Sequence, residues 1–592
     1  MYGYAGHIVK INLSSGKVRI EDTPASFINC IGGKIAAANF FYENVGNIDP
    51  LSPDNIIMFA TGPANGSKIL MASKLGVYFK SPLTNLFGES YMGGNLMADL
   101  KWAGVDALII YGKSDNPVYI YMDGLNVEIR SAKHIWGLTT SESERVISEE
   151  VGDSQVSIVT IGPAGENLVK FACISHNSSL GRKRRGSKAG RLGGGAVLGS
   201  KRLKGIVVRR SDSKVEIYDS NLVLTTVKEV LRKVTSDPAG TGANNYRKYG
   251  TPGTLFPGLG LGFFPTHYYS RCASVNREKL NPDIIKDKFY RSNLACFNCI
   301  LACGKYVSVD GTEGKGPEYE TIFAFGGLND IDNYKDIMRI GELCDELGID
   351  TIEAGNVISL ALYANEIGRI SIGDYSFGNA EKIMELLRMI SSRSGIGELL
   401  AEGVRTFSEI MNIGDLAIHV KGLSFPGYDP RVLKYMALEY CINNRGADHL
   451  RITAYAYEIT GRLSRYKKIE DAVAFLVEME DRNIISDSLI LCRFSRFIYE
   501  WEDIINIIKG LTGKEYSIND LRAKANWARK LIRLFNIRQG LNPEKDDNLP
   551  RRIYDEPISF MDIEYRLSED EVRKMVKLYY KYRGWNPDGI PT

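Results

Sequence analysis

The sequence is poor in glutamine, has little net charge and contains no long apolar segment. Glutamine occurs only at Gln155 and Gln539, and 74 Lys and Arg residues nearly balance 71 Asp and Glu residues, for a net charge of +3. This balance predicts no nucleic-acid partner. Scarce amides beside abundant Lys, Arg and Glu are typical of proteins from hot habitats.

Targeting and membrane segments are also missing from the sequence. No stretch approaches the ~18 apolar residues that can span a bilayer. The opening MYGYAGHIVKINLSSGKV lacks the basic start and apolar run of a secretory signal. We therefore expect a cytoplasmic protein without a membrane partner. Disulfides are not expected there, and a cysteine cluster indicates a metal site or catalysis.

Alternating apolar residues predict β-structure in the first part of the chain. HIVKINL, SSG and KVRIED read in order as a hairpin, and VYIYMDGLNVEIR repeats that pattern around Asp123-Gly124. SIVTIG and GIVVRR add two further strand candidates. No repeat of the solenoid type is visible.

Helical periodicity dominates after about residue 215, from SNLVLTTVKEVLRKV onward. Residues 334–347 are predicted to form a helix that stops at Gly348. Ser568 and Glu571 are predicted to form a capping box ahead of an apolar stripe, Val572, Met575, Val576 and Tyr579.

Length and these patterns together predict an α+β protein of several domains. A chain of 592 residues is too long for one compact core. We predict a β-rich domain over residues 1–212, followed by mostly helical domains over residues 213–415 and 416–592.

Three of the nine cysteines lie within eight residues, as Cys296, Cys299 and Cys303 in CFNCILAC. This C-x2-C-x3-C spacing favours a [4Fe–4S] cluster, which usually takes a fourth, distant cysteine. A zinc site and three buried cysteines that bind nothing are the alternatives. The spacing is the reverse of C-x3-C-x2-C, which is used by enzymes that cleave S-adenosylmethionine. The candidates for the fourth ligand are Cys30, Cys173, Cys272, Cys344, Cys441 and Cys492.

Glycine-rich stretches offer places for an anion. GRKRRGSKAGRLGGG (181–195) combines backbone that can approach a phosphate closely with arginine charge. A solvated basic loop is an equal alternative for Arg182 to Arg185. GGAVLGSK (194–201) and GLGLG (258–262) each miss a defining residue of a nucleotide-binding loop.

Two polar stretches could supply acid–base groups. Glu318 and Glu320 would share a face in an extended segment and diverge on a helix, and a surface pair is the alternative. His449 lies in NNRGADHLR between Arg445 and Arg451, and is the histidine best placed for a site. A purely structural histidine is the alternative.

Taken together, the motifs resemble the tungsten-dependent aldehyde:ferredoxin oxidoreductase family. The similar stretches run from end to end in one order: MYGYAGHIVKINLSSGKV, FKSPLTN, KWAGVDALIIYGKSDNPVYIY, HIWG, IGPAGENLVKFA, GRLGGGAVLGSKRLKGI, CFNCILACGK, GPEYET, CDELGIDT, YDPR, NNRGADH and YYKYRGWNPDGIP. The resemblance implies an enzyme that oxidises aldehydes to carboxylic acids with water as the oxygen source and passes electrons through a cluster to ferredoxin.

The resemblance also implies the cofactors and their protein contacts. The family holds tungsten, with molybdenum as a possibility here, between two pyranopterins without a protein ligand on the metal. Mg²⁺ bridges the pterin phosphates. The implied ligands of the [4Fe–4S] cluster are Cys296, Cys299, Cys303 and Cys492. The implied cofactor contacts are Lys74, Tyr91, Gly93, Gly94, Ala189, Gly190, Arg191, Gly193, Asp345, Gly348, Ile349, Asp350, Arg451, Asp487, Leu491 and Arg493. Glu320 and His449 match the active-site glutamate and histidine.

The chain departs from the family at several of these positions. Lys74 stands in place of an arginine and loses its bidentate fork. Tyr91 replaces an asparagine, and Ile490 replaces the glycine of the stretch that ends at Cys492. Residues 339–342 lack the E-x-x-H pattern through which the prototype binds a bridging iron, so a homodimer without that iron is expected. The extra basic residues Arg182 to Arg185 are expected to rim the site or to dock an acidic ferredoxin.

Two other functions remain open from the sequence. Some relatives are catalytic subunits of larger reductases that act on aromatic thioesters, and others favour sugar-phosphate aldehydes. The changes at Lys74 and Ile490 instead favour an electron-transfer protein with a cluster and a decayed pterin site. The preferred aldehyde is not predicted.

Overall fold

The computed structural model describes residues 1–176, 186–211, 213–272 and 278–592. The first 209 residues carry two six-stranded sheets. The strands of the first sheet are β1 His7–Asn12, β2 Lys17–Asp22, β3 Ile57–Ala60, β4 Leu75–Lys80, β5 Phe87–Met92 and β6 Val105–Tyr111. Those of the second are β7 Val118–Asp123, β8 Asn126–Ser131, β9 Ser157–Thr160, β10 Ile174–His176, β11 Ser187–Ala189 and β12 Leu203–Arg209.

The two sheets have the same topology. Their strand orders are β2-β1-β6-β3-β4-β5 and β8-β7-β12-β9-β10-β11, so each strand of the second sheet occupies the place of the strand six earlier. In both sheets the pair formed by the first and sixth strands is parallel, and the other pairs are antiparallel. The β-rich region therefore contains the same six-stranded unit twice.

Both predicted hairpins are confirmed. In the first, His7 pairs with Asp22 and Asn12 with Lys17, and in the second, Asp123 pairs with Asn126 across the turn. Alternation explains the pairing, because side chains of successive strand residues point to opposite faces. Val9 and Ile11 join the largest apolar cluster, while Ile8 belongs to another on the opposite face.

Helices accompany these sheets at matching places. They are α1 Ala25–Asn29, α2 Gly33–Asn44, α3 Leu96–Trp102, α4 Thr140–Val151, α5 Pro163–Glu166 and α6 Gly194–Ser200. Helix α2 precedes the third strand of its sheet and α4 the third strand of the other. Helices α3 and α6 each follow a fifth strand. A loop therefore joins the fifth strand to a short helix in both units.

The rest of the chain is mostly helical, as predicted. Its helices are α7 Ser220–Ser236, α8 Ala243–Tyr249, α9 Leu255–Leu261, α10 Pro282–Phe289, α11 Tyr319–Thr321, α12 Tyr334–Leu347, α13 Thr351–Glu366, α14 Ala380–Ser392, α15 Gly397–Leu400, α16 Gly403–Ile410, α17 Lys434–Ile442, α18 Ala454–Ile459, α19 Ile469–Ser488, α20 Trp501–Thr512, α21 Ile518–Arg538, α22 Pro543–Asp546, α23 Arg551–Asp555 and α24 Glu569–Arg583. A π-helix, Ile322–Gly327, continues α11, and short 3-10 turns lie at Thr251–Thr254, Gly414–Leu416 and Arg493–Ser495.

Short strands connect some of these helices. They are β13 Pro265–Thr266, β14 Arg271–Cys272, β15 Tyr290–Leu294, β16 Gly304–Val309, β17 Thr312–Lys315, β18 His419–Val420, β19 Leu423–Ser424, β20 Ile558–Phe560 and β21 Ile563–Tyr565. In the described part of the chain, no helix combines the length and apolar character that crossing a bilayer requires.

The predicted helix ends are partly as expected. Helix α12 stops at Gly348, whose φ of 75° is the left-handed conformation that glycine adopts readily. Ser568 caps α24 by accepting a hydrogen bond from the Glu571 N–H. The Glu571 carboxylate, however, lies 2.9 Å from Lys434 Nζ, so its partner is a lysine of α17.

The apolar cores cross the boundary between the β-rich and helical regions. One cluster joins the facing sides of both sheets to helices α12 to α14. A second packs the other face of the first sheet, with Ile8, Met58 and Ile109, against α19, α20 and α21. A smaller third cluster covers the outer face of the second sheet with α4.

Candidate active site and metal centre

A cavity of about 300 Å³ is lined by residues from both sheets and from the helical region. The first sheet contributes Ser90 and Tyr91, and the segment from β11 onward contributes Lys188, Gly190 and Arg191. Aromatic rings form much of the remaining wall: Tyr246, Tyr319, Tyr428, Tyr455 and Phe494. Arg445, Arg451, Glu318, Glu320 and His449 supply further charged or titratable groups. A largely aromatic cavity with a few converging polar groups is typical of a small-molecule site.

The two loops predicted to contact pterins occupy equivalent places in the two sheet units. Residues 91–94 run from β5 toward α3, and residues 189–193 run from β11 toward α6. The first loop contacts the strand that leads into the second, because the Gly93 N–H donates to Ser187 Oγ of β11 at 2.7 Å. Two glycine stretches that are far apart in the sequence are thus brought close together in space.

At several positions of these loops a side chain would clash with neighbouring atoms, which explains why the residue is glycine. A Cβ on Gly93 would lie 2.8 Å from Cys296 Sγ and 3.3 Å from Lys74 Nζ, and one on Gly193 would lie 2.1 Å from the Lys170 carbonyl oxygen. Gly94 and Gly193 also have φ values of 107° and 82°. Gly190 instead faces open space next to the cavity, so backbone there is accessible to a ligand.

A second pair of glycines joins the sheets to the helical region. Gly62-Pro63-Ala64 follows β3, and Gly162-Pro163-Ala164 follows β9, at matching positions of the two units. A Cβ on Gly62 would lie 2.3 Å from the Ser488 carbonyl oxygen, and one on Gly162 would lie 2.3 Å from that of Leu347. Each turn therefore packs on the end of a different helix, α19 or α12.

The stretch Asp345–Asp350 ends helix α12 and begins α13. Asp350 caps α13 by accepting from the Ile352 N–H at 3.0 Å, and its second oxygen lies 3.4 Å from Arg191 Nε. Asp345 lies 2.6 Å from Lys188 Nζ. Ile349 forms a β-bridge with Ala172. The predicted contacts of this stretch and of the 189–193 loop are therefore neighbours.

The corresponding stretch at the end of α19 keeps the conformation of a glycine although it contains Ile490. Ile490 has a φ of 59°, and the Leu491 N–H donates to the Ser486 carbonyl oxygen at 2.9 Å. These are the features of a Schellman motif, in which the left-handed residue is usually glycine. A β-branched residue there is strained by about 1–3 kcal/mol. The fully buried Ile490 side chain packs against Gly33, which offsets that strain.

Asp487 anchors a buried ion-pair network beside this helix end. Its carboxylate oxygens accept from Arg451 at 2.9 Å and from Arg493, and one lies 3.7 Å from Lys34 Nζ. Lys34 also binds Glu89 at 2.9 Å. Burial disfavours the charge on Glu89, but Lys34, Arg451 and Arg445 hold the pKa of its carboxyl to about 2. Cations outnumber carboxylates here, since Arg445 adds a fourth cation and Asp448 a third carboxylate.

Tyr91 belongs to the same network through its side chain. Its hydroxyl donates to Glu89 Oε2 at 3.0 Å, and the Arg451 guanidinium lies 4.8 Å from the centre of its ring. Arg445 donates to the backbone carbonyl of Glu89. The residues Arg451, Asp487, Arg493 and Tyr91 are therefore brought together.

Glu320 and His449 face each other in the cavity. Glu320 Oε2 accepts from the Gly427 N–H at 3.0 Å, and Glu320 Oε1 lies 3.4 Å from His449 Nε2. The His449 ring packs against Tyr428 and Tyr455, with ring centres 5.2 and 5.8 Å apart. Glu318, two residues away, accepts from the Thr251 hydroxyl at 2.6 Å. Both carboxylates border the cavity, although Glu318 lies just before helix α11 and Glu320 lies within it.

Burial leaves both members of this pair uncharged near neutral pH. It raises the pKa of Glu320 to about 8. Burial, together with Arg191, Arg445, Arg451 and Arg496, lowers the pKa of His449 well below its usual value. A neutral carboxyl therefore faces a neutral imidazole, and the acidic proton of the pair is held by Glu320.

Several buried polar atoms around the cavity lack a hydrogen-bond partner among the described residues. They are Glu320 Oε1, His449 Nδ1 and the Nε atoms of Arg445, Arg451 and Arg493. Buried polar groups are nearly always paired in folded proteins, so such a group requires an explanation. Guanidinium groups suit phosphate geometry. The unpaired donors therefore fit a bound group that carries phosphate and other acceptors.

The predicted cluster cysteines lie in one neighbourhood. The Met71 N–H donates to the Asn298 carbonyl oxygen at 3.0 Å, and the Cys492 N–H donates to the Met71 carbonyl oxygen at 2.9 Å. Burial and the neighbouring Cys492 and Cys296 thiols raise the pKa of Cys299. Burial raises the pKa of Tyr246, and the nearby Cys303 and Cys492 thiols add to that increase. A single residue, Met71, thus holds together two cysteine segments that are about 190 positions apart.

This neighbourhood also adjoins the first glycine loop. The Phe297 N–H donates to the Gly94 carbonyl oxygen at 3.0 Å, and Cys296 Sγ lies against Gly93. All nine cysteines are described, and none forms a disulfide. Within the described residues, no three His, Cys, Asp or Glu side chains converge closely enough to bind one ion. A cubane cluster has a different requirement, since each of its irons takes one sulfur and the four sulfurs surround it.

Other predicted positions are placed as follows. Leu491 lies between Ile490 and Cys492 in the α19 end, and Ala189 ends β11. In residues 339–342, Arg339 pairs with Asp336 and Glu381, and burial raises the pKa of Glu342 to about 7. Arg182 to Arg185 lie outside the described residues.

Sequence reasoning missed part of the site. Lys34 and Glu89 are buried charges in segments that look ordinary. Tyr246 and Tyr455 belong to helices α8 and α18, and Tyr428 lies in the loop between β19 and α17. The repeated Gly-Pro-Ala, at positions 62–64 and 162–164, was the signal that could have revealed the duplicated unit.

Comparison with known proteins agrees over the whole chain. The family model for the N-terminal domain of aldehyde ferredoxin oxidoreductase matches residues 8–210, and the model for its domains 2 and 3 matches residues 225–592. The tungsten-containing aldehyde ferredoxin oxidoreductase of Pyrococcus horikoshii is 34% identical over 604 aligned positions, which cover 100% of this chain and 97% of that protein. The enzyme of the same name from Pyrococcus furiosus is 33% identical with the same coverage.

More distant proteins also match along the whole chain. The WOR-like subunit of an aliphatic sulfonate oxidoreductase from Pyrococcus furiosus is 27% identical, over 100% of this chain and 96% of that protein. A chain of the active-site complex BamBC of benzoyl coenzyme A reductase, in complex with 1,5-dienoyl-CoA, superposes with a TM-score of 0.86 at 24% identity. The superposition covers 100% of this chain and 96% of that chain.

Proposed function

The chain belongs to the aldehyde ferredoxin oxidoreductase family, and from that premise we propose that it oxidises aldehydes to carboxylic acids and transfers the electrons to ferredoxin. Per turnover, one aldehyde and one water give one carboxylic acid, two electrons and two protons. The observation that carries the proposal is the pair Glu320 and His449, whose unpaired buried atoms Oε1 and Nδ1 belong to one cavity.

The residues around the cavity fit an anionic pterin cofactor. The unpaired Nε atoms of Arg445, Arg451 and Arg493 are donors for phosphate oxygens and ring acceptors. The glycine loops at 91–94 and 189–193 occupy equivalent positions of the two sheet units, which suits a cofactor made of two similar halves, and Gly190 leaves backbone open to a ligand. Lys74 adds a cation beside the first loop. When bound, the tungsten or molybdenum pterin, with its Mg²⁺, supplies two-electron redox chemistry at the carbonyl carbon.

A [4Fe–4S] cluster fits beside that cofactor. Cys296, Cys299, Cys303 and Cys492 supply four thiolates, and the hydrogen bonds through Met71 hold their segments in place. When bound, the cluster supplies one-electron steps to an external acceptor. The contact between Cys296 and Gly93 gives a short connection to the first glycine loop.

Glu320 and His449 are proposed to move and hold the reaction's protons. With its pKa raised to about 8, Glu320 is a carboxylate of unusual basicity once ionised, and it accepts the proton that water loses on attacking the carbonyl carbon. Neutral His449 presents one ring N–H and one acceptor nitrogen, and it hydrogen-bonds the aldehyde oxygen. Gly427 keeps Glu320 Oε2 in position.

The aromatic wall favours an apolar aldehyde and offers a path for it. A second cavity of about 250 Å³ shares Tyr246, Thr254 and Tyr455 with the first, and Phe256 and Phe497 also line it. The Arg496 guanidinium donates to the Tyr246 hydroxyl at 3.1 Å and holds that ring at the border. We propose that the substrate enters through this second, partly aromatic cavity.

A second candidate is a catalytic subunit of a larger reductase. The similarity to a subunit of the aliphatic sulfonate oxidoreductase, along the whole chain, favours this candidate. Copurification of further subunits, together with inactivity toward simple aldehydes, would support it.

The proposal is tested on protein produced anaerobically with tungstate and molybdate supplied separately. Iron, tungsten and molybdenum are measured by mass spectrometry, and reduction of benzyl viologen is followed with aliphatic, aromatic and sugar-phosphate aldehydes and an aryl thioester. We expect iron with tungsten or molybdenum and two dye molecules reduced per aldehyde. Iron without either heavier metal would contradict the proposal and favour a simple electron-transfer protein.

A further inference from the structure

A surface groove beside the first cluster cysteines is rich in positive charge. This cationic groove, of about 380 Å³, is lined by Lys68, Trp102, Arg210, Lys214 and Phe297 together with small and apolar residues. Lys68, Arg210 and Lys214 are exposed, and no Asp or Glu is among the described lining residues. The whole chain has a net charge of only +3, so three cations in one groove, with no carboxylate among its described lining residues, are a local concentration of charge.

The groove is built around aromatic rings that reach the cluster segment. Phe297 lies between Cys296 and Cys299 and packs edge-to-face on Trp102, with ring centres 5.5 Å apart. The Arg210 guanidinium lies 5.2 Å from the Trp102 ring centre, and Trp102 Nε1 donates to the Gly66 carbonyl oxygen at 3.2 Å. The half-buried Phe297 therefore connects the surface directly to the cysteine segment.

Backbone contacts hold the groove rigidly to both cysteine segments. Asn298 Nδ2 donates to the carbonyl oxygens of Lys68 and Ile69, at 2.9 and 3.0 Å. Three residues further on, Met71 binds Asn298 and Cys492. A protein that binds at Lys68 is therefore held at the cluster, and not at a remote surface.

We propose that an acidic one-electron carrier protein of the ferredoxin type docks on the groove formed by Lys68, Trp102, Arg210, Lys214 and Phe297. This inference rests on the proposed function for the direction of electron flow. Carboxylates of the carrier pair with the three cations, and the exposed edge of the aromatic pair lies between the two redox centres. Electron-transfer complexes are small and short-lived, and charge steers their formation more than it strengthens them.

The test uses the holoenzyme and a triple charge reversal, Lys68→Glu, Arg210→Glu and Lys214→Glu. Aldehyde-dependent reduction of an acidic [4Fe–4S] ferredoxin and of benzyl viologen is measured on the same preparations. We expect kcat/KM for ferredoxin to fall at least ~10-fold at low ionic strength, within the range that electrostatic steering supplies. The difference should shrink as salt rises from about 0.02 M to about 0.5 M, because screening shortens the reach of the charges. Dye reduction should stay within about 2-fold.

The matched control is Lys17→Glu, Arg19→Glu and Lys113→Glu. These exposed cations lie by the end of β6 that is far from Trp102, since Asn12 pairs with both Lys17 and Tyr111. The control removes the same charge and should leave ferredoxin reduction within about 2-fold of the parent.

Equal losses in the two triple variants, or none in the groove variant, would overturn the docking site. Binding of oxidised ferredoxin to the parent and both variants is measured in parallel by calorimetry at low salt. If the parent enzyme does not reduce dye with aldehyde, the proposed function fails, and weaker ferredoxin binding by the groove variant alone still supports the docking site. Equal binding by both variants would overturn it.

Discussion

At the scale of single residues, the behaviour of Glu320 follows from its burial. Its side chain is 17% exposed, and one carboxylate oxygen has only a backbone N–H as partner. A buried carboxyl without a paired cation prefers its neutral form, which is why its pKa rises to about 8. Its nearest titratable neighbour, His449, does not compensate, because burial and four arginines keep that imidazole neutral.

The pH dependence of turnover should report this carboxyl. In the proposed mechanism the ionised form of Glu320 is the base. Its fraction increases as pH rises through about 8, so kcat/KM should rise with pH over that range and then level. Glu320→Gln should lower kcat by about 10²–10⁴ and lose this limb, since an amide cannot accept the proton. Initial rates with viologen dye across pH, at equal metal content, provide the measurement.

Glu318→Gln is the matched control for that variant. Glu318 also borders the cavity, but its carboxylate accepts from the Thr251 hydroxyl, which an amide oxygen can replace. The Glu318→Gln variant should keep the increase of kcat/KM with pH. A Glu320→Gln enzyme with unchanged turnover would exclude Glu320 as the base.

At the scale of elements, the site is assembled from strand-to-helix loops and helix ends. The α19 end shows how an element can keep its shape after a sequence change: Ile490 takes the glycine conformation because helix geometry and the packing against Gly33 require it. The replacement of the expected glycine therefore does not by itself indicate a decayed site. Cys492 follows directly and keeps its hydrogen bond to Met71.

The first glycine loop leads to a prediction about the cluster. Gly93→Ala would place a methyl group 2.8 Å from Cys296 Sγ, closer than carbon and sulfur can approach, so the cysteine must move. We expect a lower iron content and weaker absorbance near 400 nm in the purified variant. Gly190→Ala, in the equivalent loop, meets no atom within 4 Å and should retain its iron. Equal iron in the two variants would argue against a cluster at Cys296.

At the scale of the whole molecule, the duplicated sheet unit is embedded in the helical region. The two Gly-Pro-Ala turns pack on α19 and α12, which carry the stretches beginning at Asp487 and Asp345. The approximate symmetry of the sheets is therefore matched by a pair of helix ends. The cavity lies where these elements meet, so it has walls from both units.

This arrangement predicts that the β-rich region cannot fold alone. A fragment of residues 1–211 would expose the face of the first sheet that now packs on α19, α20 and α21, and buried Lys34 would lose Asp487. We expect a state without a cooperative thermal transition that binds the dye ANS. Near-ultraviolet circular dichroism and ANS fluorescence, with the full chain as reference, provide the measurement. A sharp transition in the fragment would contradict this view of the cores.

Much of the fold was accessible from local sequence patterns. Alternation predicted the hairpins at β1–β2 and β7–β8, and helical periodicity and Gly348 predicted α12. Motifs along the whole chain indicated the family, which the comparisons confirm. The roles of the individual site residues and the three domain boundaries stay predictions.

These successes share one physical basis. Backbone conformation and amphipathic faces depend on residues a few positions apart, and the sequence alone therefore determined the elements, the order of motifs and the family. Tertiary structure decided what depends on segments far apart in the sequence: the parallel pairing inside each sheet, the approach of Cys492 to Cys299, and the network around Asp487. It also decided the pKa of Glu320, because burial is a property of the packed chain and not of any local pattern.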